Sequence, residues 1–191
     1  MDEKQRALLV GANINDRPDF QASMEELASL AGACELEVVG AVEQNLKEVN
    51  KAYYIGPGKA EELLAALEEA NAGVVVFNNE LSPSQLGNLE EKLGRVIMDR
   101  TALILEIFAR RAKTRESRLQ VEVARLQYVL PRLAGSYRSL SRQAGGVGTA
   151  TRGAGEKKLE LDRRKIEAKI ARLKRELELI GKKRKIRRKK R

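Results

Sequence analysis

The chain has 191 residues, with 37 Lys+Arg against 27 Asp+Glu, no His, no Trp and one Cys. Without His there is no imidazole base, no Ser-His-Asp or Cys-His pair and no His-bearing zinc site, and Cys34 alone completes neither a disulfide nor a Cys-rich metal centre. No catalytic and no metal-ligating residues are therefore expected. The start, MDEKQRALLV, lacks the apolar core of a signal peptide, and no run approaches the roughly 18 apolar residues of a membrane span, so a cytoplasmic protein is expected.

Charge divides the chain. Residues 1–100 hold 9 basic and 18 acidic side chains, net −9, whereas residues 101–191 hold 28 and 9, net +19. A basic surface of that density attracts polyanions by releasing their condensed counterions; nucleic acid is the commonest such partner and anionic lipid the next.

In chain order, Ala7–Val10, Val38–Val42, Val74–Phe77 and Val96–Met98 are short, nearly continuous apolar runs, as expected of strands buried on both faces of a parallel sheet. Between them Met24, Leu27 and Leu30, then Leu63, Leu64, Leu67 and Ala70, then Leu86, Leu89 and Leu93 keep helical spacing. Ser82-Pro83 predicts an N-cap followed by Pro at the first helical position, and Gly73 and Gly94 stand where helices should stop. The alternation predicts an α/β domain over 1–100, a small open sheet of four or five mainly parallel strands with flanking helices.

Within it, Gly56-Pro-Gly-Lys invites a weak phosphate-binding reading at Gly56, Gly58 and Lys59, because glycines opening a helix present free N–H groups to an anion. A P-loop, however, needs Lys followed by Ser or Thr, and Ala60 follows Lys59. The plainer reading is a tight turn into a helix whose first turn is stabilised by Glu61 and Glu62. Asn78-Asn79-Glu80 and Asp99-Arg100, which follow strands, read as caps and turns.

From Thr101 to Leu133 no Gly interrupts the chain, and Leu119, Val123, Leu126, Leu130 and Leu133 step by four and three. Ile166, Ile170, Leu173, Leu177 and Ile180 repeat that heptad pattern, so residues 101–191 are expected to fold as a long antiparallel two-helix coiled-coil hairpin. About 33 residues at 1.5 Å each make a rod of roughly 50 Å, bent near Pro131, with its tip in the loop 135–155. That loop has five glycines between Gly145 and Gly155, interleaved with Thr149, Thr151 and Arg152 and bordered by Arg138, Arg142, Lys157 and Lys158. Glycine lets backbone N–H groups approach a phosphate or base closely while Arg supplies charge and planar stacking. The tail 182–191, KKRKIRRKKR, is nine-tenths basic and reads as a fraying helical end and soluble linker.

The strand Ala7-Leu-Leu-Val-Gly, then Ala52-Tyr-Tyr-Ile-Gly-Pro-Gly-Lys, Asn79-Glu-Leu-Ser-Pro-Ser-Gln, Asp99-Arg-Thr-Ala-Leu-Ile-Leu, Arg118-Leu-Gln-Val-Glu, Tyr128-Val-Leu-Pro-Arg-Leu and Leu140-Ser-Arg-Gln lead in order into the glycine loop, which Gly155-Glu-Lys-Lys-Leu-Glu-Leu-Asp-Arg-Arg leaves. In that order they resemble the N-terminal region of the HflX family of translational GTPases. The resemblance implies an α/β domain plus a helical hairpin that binds the large ribosomal subunit, with the loop directed at ribosomal RNA, in proteins that split stalled or inactive ribosomes. The implied RNA-binding residues are Arg138, Arg142, Gln143, Gly145, Gly146, Gly148, Thr149, Arg152, Gly153, Gly155, Lys157, Lys158, Arg163 and Arg164. Departures from the family loop are Ala144 for Gly, an extra Ala150-Thr151, and Ala154 for Pro. Family members also carry a P-loop domain that binds GTP and Mg²⁺, whereas Gly58-Lys59 and Gly181-Lys182 lack the following Ser or Thr. A truncated or stand-alone relative is therefore expected: monomeric, with no cofactor and no GTP turnover of its own. Two other readings remain, a nucleotide-binding α/β enzyme and a coiled-coil dimerisation module.

Overall fold

The computed structural model describes residues 4–133 and 149–189, with side chains over 4–133 and 157–186. The chain separates into two compact units, Met1–Ile107 and Phe108–Arg191. The boundary expected at Arg100 is displaced because the helix that follows the last strand begins by burying Leu103 and Ile107 in the first unit's core.

The first unit is a four-stranded sheet, β1 (Arg6–Ile14), β2 (Glu37–Leu46), β3 (Val74–Phe77) and β4 (Val96–Asp99), in the order β2-β1-β3-β4. Every pairing is parallel, with Leu9 opposite Ala41 on one side and Val76 on the other. Helices α1 (Phe20–Ala33), α2 (Pro57–Glu69), α3 (Pro83–Leu93) and α4 (Arg100–Arg111) flank it. Side chains alternate across a strand, so β1 serves two cores. Leu8 and Val10 pack with Leu63 and Leu67 of α2 and Leu89 and Leu93 of α3, while Ala7 and Leu9 pack with Met24 and Leu27 of α1 and Leu103 and Ile107 of α4. Gly11 allows α1 this approach: a Cβ there would lie 2.5 Å from Met24 Sδ and 2.7 Å from Phe20 Cζ.

Several expectations are corrected. Strand β2 is an edge strand in which only Val42 is buried, so its apolar run does not report burial on both faces. Ser82 does cap α3, accepting from the Gln85 N–H while the Gln85 side chain accepts from the Ser82 N–H, and Gly94 ends that helix at φ +58°. Gly73 ends nothing: α2 stops at Glu69, and Asn71 takes the left-handed turn at φ +46°. Asn tolerates that conformation better than most side chains, and Gly73 instead donates to the Arg6 carbonyl at the start of the interior strand β1.

In the second unit the expected continuous helix 101–133 is broken. Helix α4 stops at Arg111, and α5 (Arg115–Val129) starts afresh from Thr114, whose hydroxyl accepts the Ser117 N–H while Ser117 Oγ accepts the Thr114 N–H. That reciprocal cap satisfies donors a new helix would otherwise leave open. Pro131 lies in a 3-10 turn, Leu130–Arg132, which needs no amide from it. Helix α6 (Thr149–Lys189) spans 41 residues and takes in most of the basic tail. Val123, Ile170 and Leu173 are buried together, with Leu119, Leu126, Leu130, Ile166 and Leu177 packed against them. Leu133 and Ile180, the predicted ends of the two seams, lie outside this cluster.

Candidate nucleic-acid interface

The loop on which the sequence concentrates recognition divides at the start of α6. Arg138, Arg142, Gln143, Gly145, Gly146 and Gly148 lie outside the described residues. Thr149, Arg152, Gly153 and Gly155, expected in the loop, are instead in the first turns of α6. Ala150 and Ala154 supply helix propensity there, and Ala154 stands where the resembling family has Pro, whose missing N–H and ring would oppose a helix interior. The helix thus claims residues 149–155, which glycine content alone assigns to the loop.

Lys157, Lys158, Arg163 and Arg164 are exposed on α6. Two of them are braced along the helix. Arg163 Nε donates to Glu167 at 3.0 Å and Arg164 Nε to Glu160 at 2.9 Å. The Glu167 carboxylate holds the Arg163 guanidinium even more firmly protonated. Such exposed i,i+4 pairs contribute only about 0.3–0.5 kcal/mol each, so their effect is to orient the side chains. Between helices, Lys169 Nζ meets Glu122 at 2.6 Å, Arg184 meets Glu116 at 3.4 Å, and Arg115 pairs with Glu176. Near the end of α5, the Arg132 guanidinium stacks 3.6 Å from the Tyr128 ring centroid and donates to the Tyr128 carbonyl.

The weak phosphate reading at Gly56, Gly58 and Lys59 meets a different geometry. The Gly56 N–H donates to Gln44 Oε1 at 2.9 Å, Pro57 at the first helical position has no N–H, and Lys59 Nζ is 2.7 Å from Glu62. The cation that would meet an anion is already neutralised. Because α2 begins at Pro57, Glu61 and Glu62 fall beyond its first turn and pair with Lys92 and Lys59 instead of stabilising the helix start.

Of the polar residues after the strands, expected as caps and turns, Asp99 caps α4 by accepting the Ala102 N–H, whereas Asn78, Asn79 and Arg100 make contacts distant in sequence. Asn79 clamps the end of β1, accepting the Ala12 N–H and donating to the Ala12 carbonyl. Arg100 reaches Asn78 Oδ1 at 2.8 Å and Glu26 at 2.5 Å. Sequence reasoning missed Asn50, whose side chain accepts the Ala52 and Tyr53 N–H groups and whose carbonyl accepts from Gln85. The signal was local: an Asn side chain closing a turn on the backbone two and three residues ahead. That turn places Tyr54 at φ +66°, with its hydroxyl pKa raised by burial and partly lowered again by a hydrogen bond with Asn79.

Burial also raises Glu90 above the ordinary 4.5. The folded state thus binds this proton more tightly than the unfolded chain, so stability falls as pH rises from about 4.5 through the folded value. Glu90→Gln should stabilise the first unit slightly at neutral pH, by no more than about 0.5 kcal/mol, and the gain should vanish below the unfolded value. Denaturant melts at acid and neutral pH measure this.

Among the described residues no group of His, Cys, Asp and Glu could hold a metal ion, and no helix is long and apolar enough to cross a membrane.

The sheet-bearing unit and the basic helical unit correspond to two regions of a class of GTP-binding proteins. A family model described as GTP-binding GTPase N-terminal matches residues 21–109, and one described as GTP-binding GTPase Middle Region matches 111–191. A GTP-binding protein from Sulfolobus solfataricus, solved with GDP, shares the fold at TM-score 0.65 and 22% identity over 93% of this chain and 46% of its own. The GTPase HflX of Caldanaerobacter subterraneus is 47% identical over 99% of this chain and 43% of its own length, and that of Escherichia coli 38% identical over 96% and 42%. The chain belongs to the HflX GTPase family, matching its N-terminal and middle regions. It spans about 43% of the length of these curated relatives.

Proposed function

We propose that this chain is the ribosome-binding part of an HflX-type GTPase, and that α5 and α6 form an antiparallel coiled-coil hairpin presenting the segment between them to RNA of the large subunit. The observation that carries the reading is the charge division, net −9 over residues 1–100 and net +19 over 101–191, with the basic excess gathered on the unit that holds the glycine-rich segment. The order of the ion pairs supports the hairpin: Glu116 and Glu122 ascend α5 while their partners Arg184 and Lys169 descend α6. In this reading, splitting of stalled ribosomes draws on GTP turnover by the family's P-loop domain, and the present residues supply attachment without turnover, GTP or Mg²⁺. The chain acts as a monomer in the cytoplasm.

The experiment is a paired substitution. Arg142→Ala with Arg152→Ala should weaken binding to the large subunit and lower the salt slope by roughly 0.7–0.9 for each phosphate no longer neutralised, with the far-UV spectrum and melting temperature kept. Unchanged affinity would move recognition elsewhere.

A further inference from the structure

The apolar seam of α6, centred on Ile170 and Leu173, is spent on α5. Stepping about 100° per residue from that seam, the opposite face carries Lys157, Arg164, Arg172, Arg175 and Lys182, all exposed. No acidic residue between 157 and 186 falls in that sector. Glu160, Glu167 and Glu178 lie on one flank, and Asp162 and Glu176 on the other. Several cations nearer the seam pair with carboxylates, Arg163 with Glu167, Lys169 with Glu122 and Arg184 with Glu116, and on the outer face Arg164 pairs with Glu160. On the outer face, Lys157, Arg172 and Lys182 make no ion pair with any described residue, and Arg175 uses only its Nε, on the Ala171 carbonyl.

We propose that this outer stripe of α6 is an RNA-binding surface, one that lies along the phosphate backbones of double-helical RNA without reading sequence. It rests on the reading of the chain as RNA-binding and extends that surface beyond Lys157 and Arg164, which the family resemblance already implies, along α6 to Arg172, Arg175 and Lys182.

Three features select this partner. The stripe runs about 25 residues, or roughly 37 Å, long enough to span a full turn of an A-form RNA duplex, whose helices are met through their backbones over more than one groove. It holds no aromatic side chain on which an unpaired base could stack, which single-strand binders use, whereas backbone cations without base readout are how duplex RNA is held. An anionic membrane would need a broad apolar face. The outer face offers only the exposed Leu161, Leu179 and Ile186, the first two separated by 18 positions, or about 27 Å.

The test compares Lys157→Gln, Arg172→Gln, Arg175→Gln and Lys182→Gln together with a charge-matched control, Lys47→Gln, Lys51→Gln, Lys113→Gln and Lys174→Gln. All eight positions are exposed, and Gln sustains a helix nearly as well as Lys or Arg. The probe is a mixed-sequence RNA duplex with no ribosomal sequence. With four phosphates no longer neutralised, the slope of log affinity against log salt should fall by about 3 units in the stripe variant, with little change in the control. Arg172→Lys with Arg175→Lys, which keeps the charge, should retain the slope. An unchanged stripe variant, or an equal fall in both quadruple variants, overturns the proposal. So does a stripe variant that keeps duplex binding and loses binding to phosphatidylserine-containing vesicles. Failure of the unaltered chain to bind the large subunit would sink the functional reading itself, whereas failure of the stripe variant to differ on duplex RNA sinks only this surface.

Discussion

Phe77→Ala is expected to lower the stability of the sheet unit by about 3–5 kcal/mol, the range for a fully buried aromatic cut to a methyl. Phe77 ends β3 with no solvent exposure and packs in the core with Leu63, Leu67 and Leu89. Its strand is held on both sides, paired to Val10 of β1 and to Asp99 of β4, so the backbone has little freedom to collapse into the cavity. The denaturant midpoint should fall while the slope stays the same, because the surface exposed on unfolding hardly changes. Val96→Ala is the contrast. Val96 begins the edge strand β4 and is 60% exposed, so its removal should cost within about 0.5 kcal/mol.

Asp99→Ala is expected to cost about 2–4 kcal/mol through a different mechanism. Asp99 is fully buried, with Oδ1 accepting the Ala102 N–H at 2.9 Å and Oδ2 accepting the Leu81 N–H at 3.3 Å. Removing the carboxylate strands two amides, each worth roughly 1–3 kcal/mol when left unsatisfied in the interior. It also removes a negative charge from the N-terminus of α4, where the macrodipole favours one. Asp99→Asn keeps one acceptor oxygen and should recover part of the stability. Thermal melts of the two variants side by side separate the hydrogen-bonding contribution from that of the charge.

The sheet was legible because it is made by short-range chemistry. Val74–Phe77 is uniformly apolar since both faces of β3 are covered, and Ser82-Pro83 caps α3 through contacts three residues long. What escaped was context. Val38 and Val39 have the composition of a central strand but sit in β2 at the sheet's edge, and strand order depends on contacts far apart in sequence. The break before Arg115 escaped because it uses neither Gly nor Pro: Thr114 and Ser117 make it by capping each other. In the candidate interface, the seam residues Val123, Ile170 and Leu173 were legible from heptad spacing. The start of α6 was not, because Gly153 and Gly155 outweighed Ala150 and Ala154 in the reading. The outer stripe was hidden in a total charge, and it emerges only when the cations of α6 are placed by helix face: on the outer one, all but Arg164 have no carboxylate partner among the described residues.

The most direct measurement is equilibrium binding of this chain to isolated large and small ribosomal subunits over a range of salt. The account predicts saturable binding that favours the large subunit, with log affinity falling linearly and steeply against log salt as phosphate counterions are released. Equal affinity for both subunits and for unrelated RNA of similar length, or binding indifferent to salt, would contradict it.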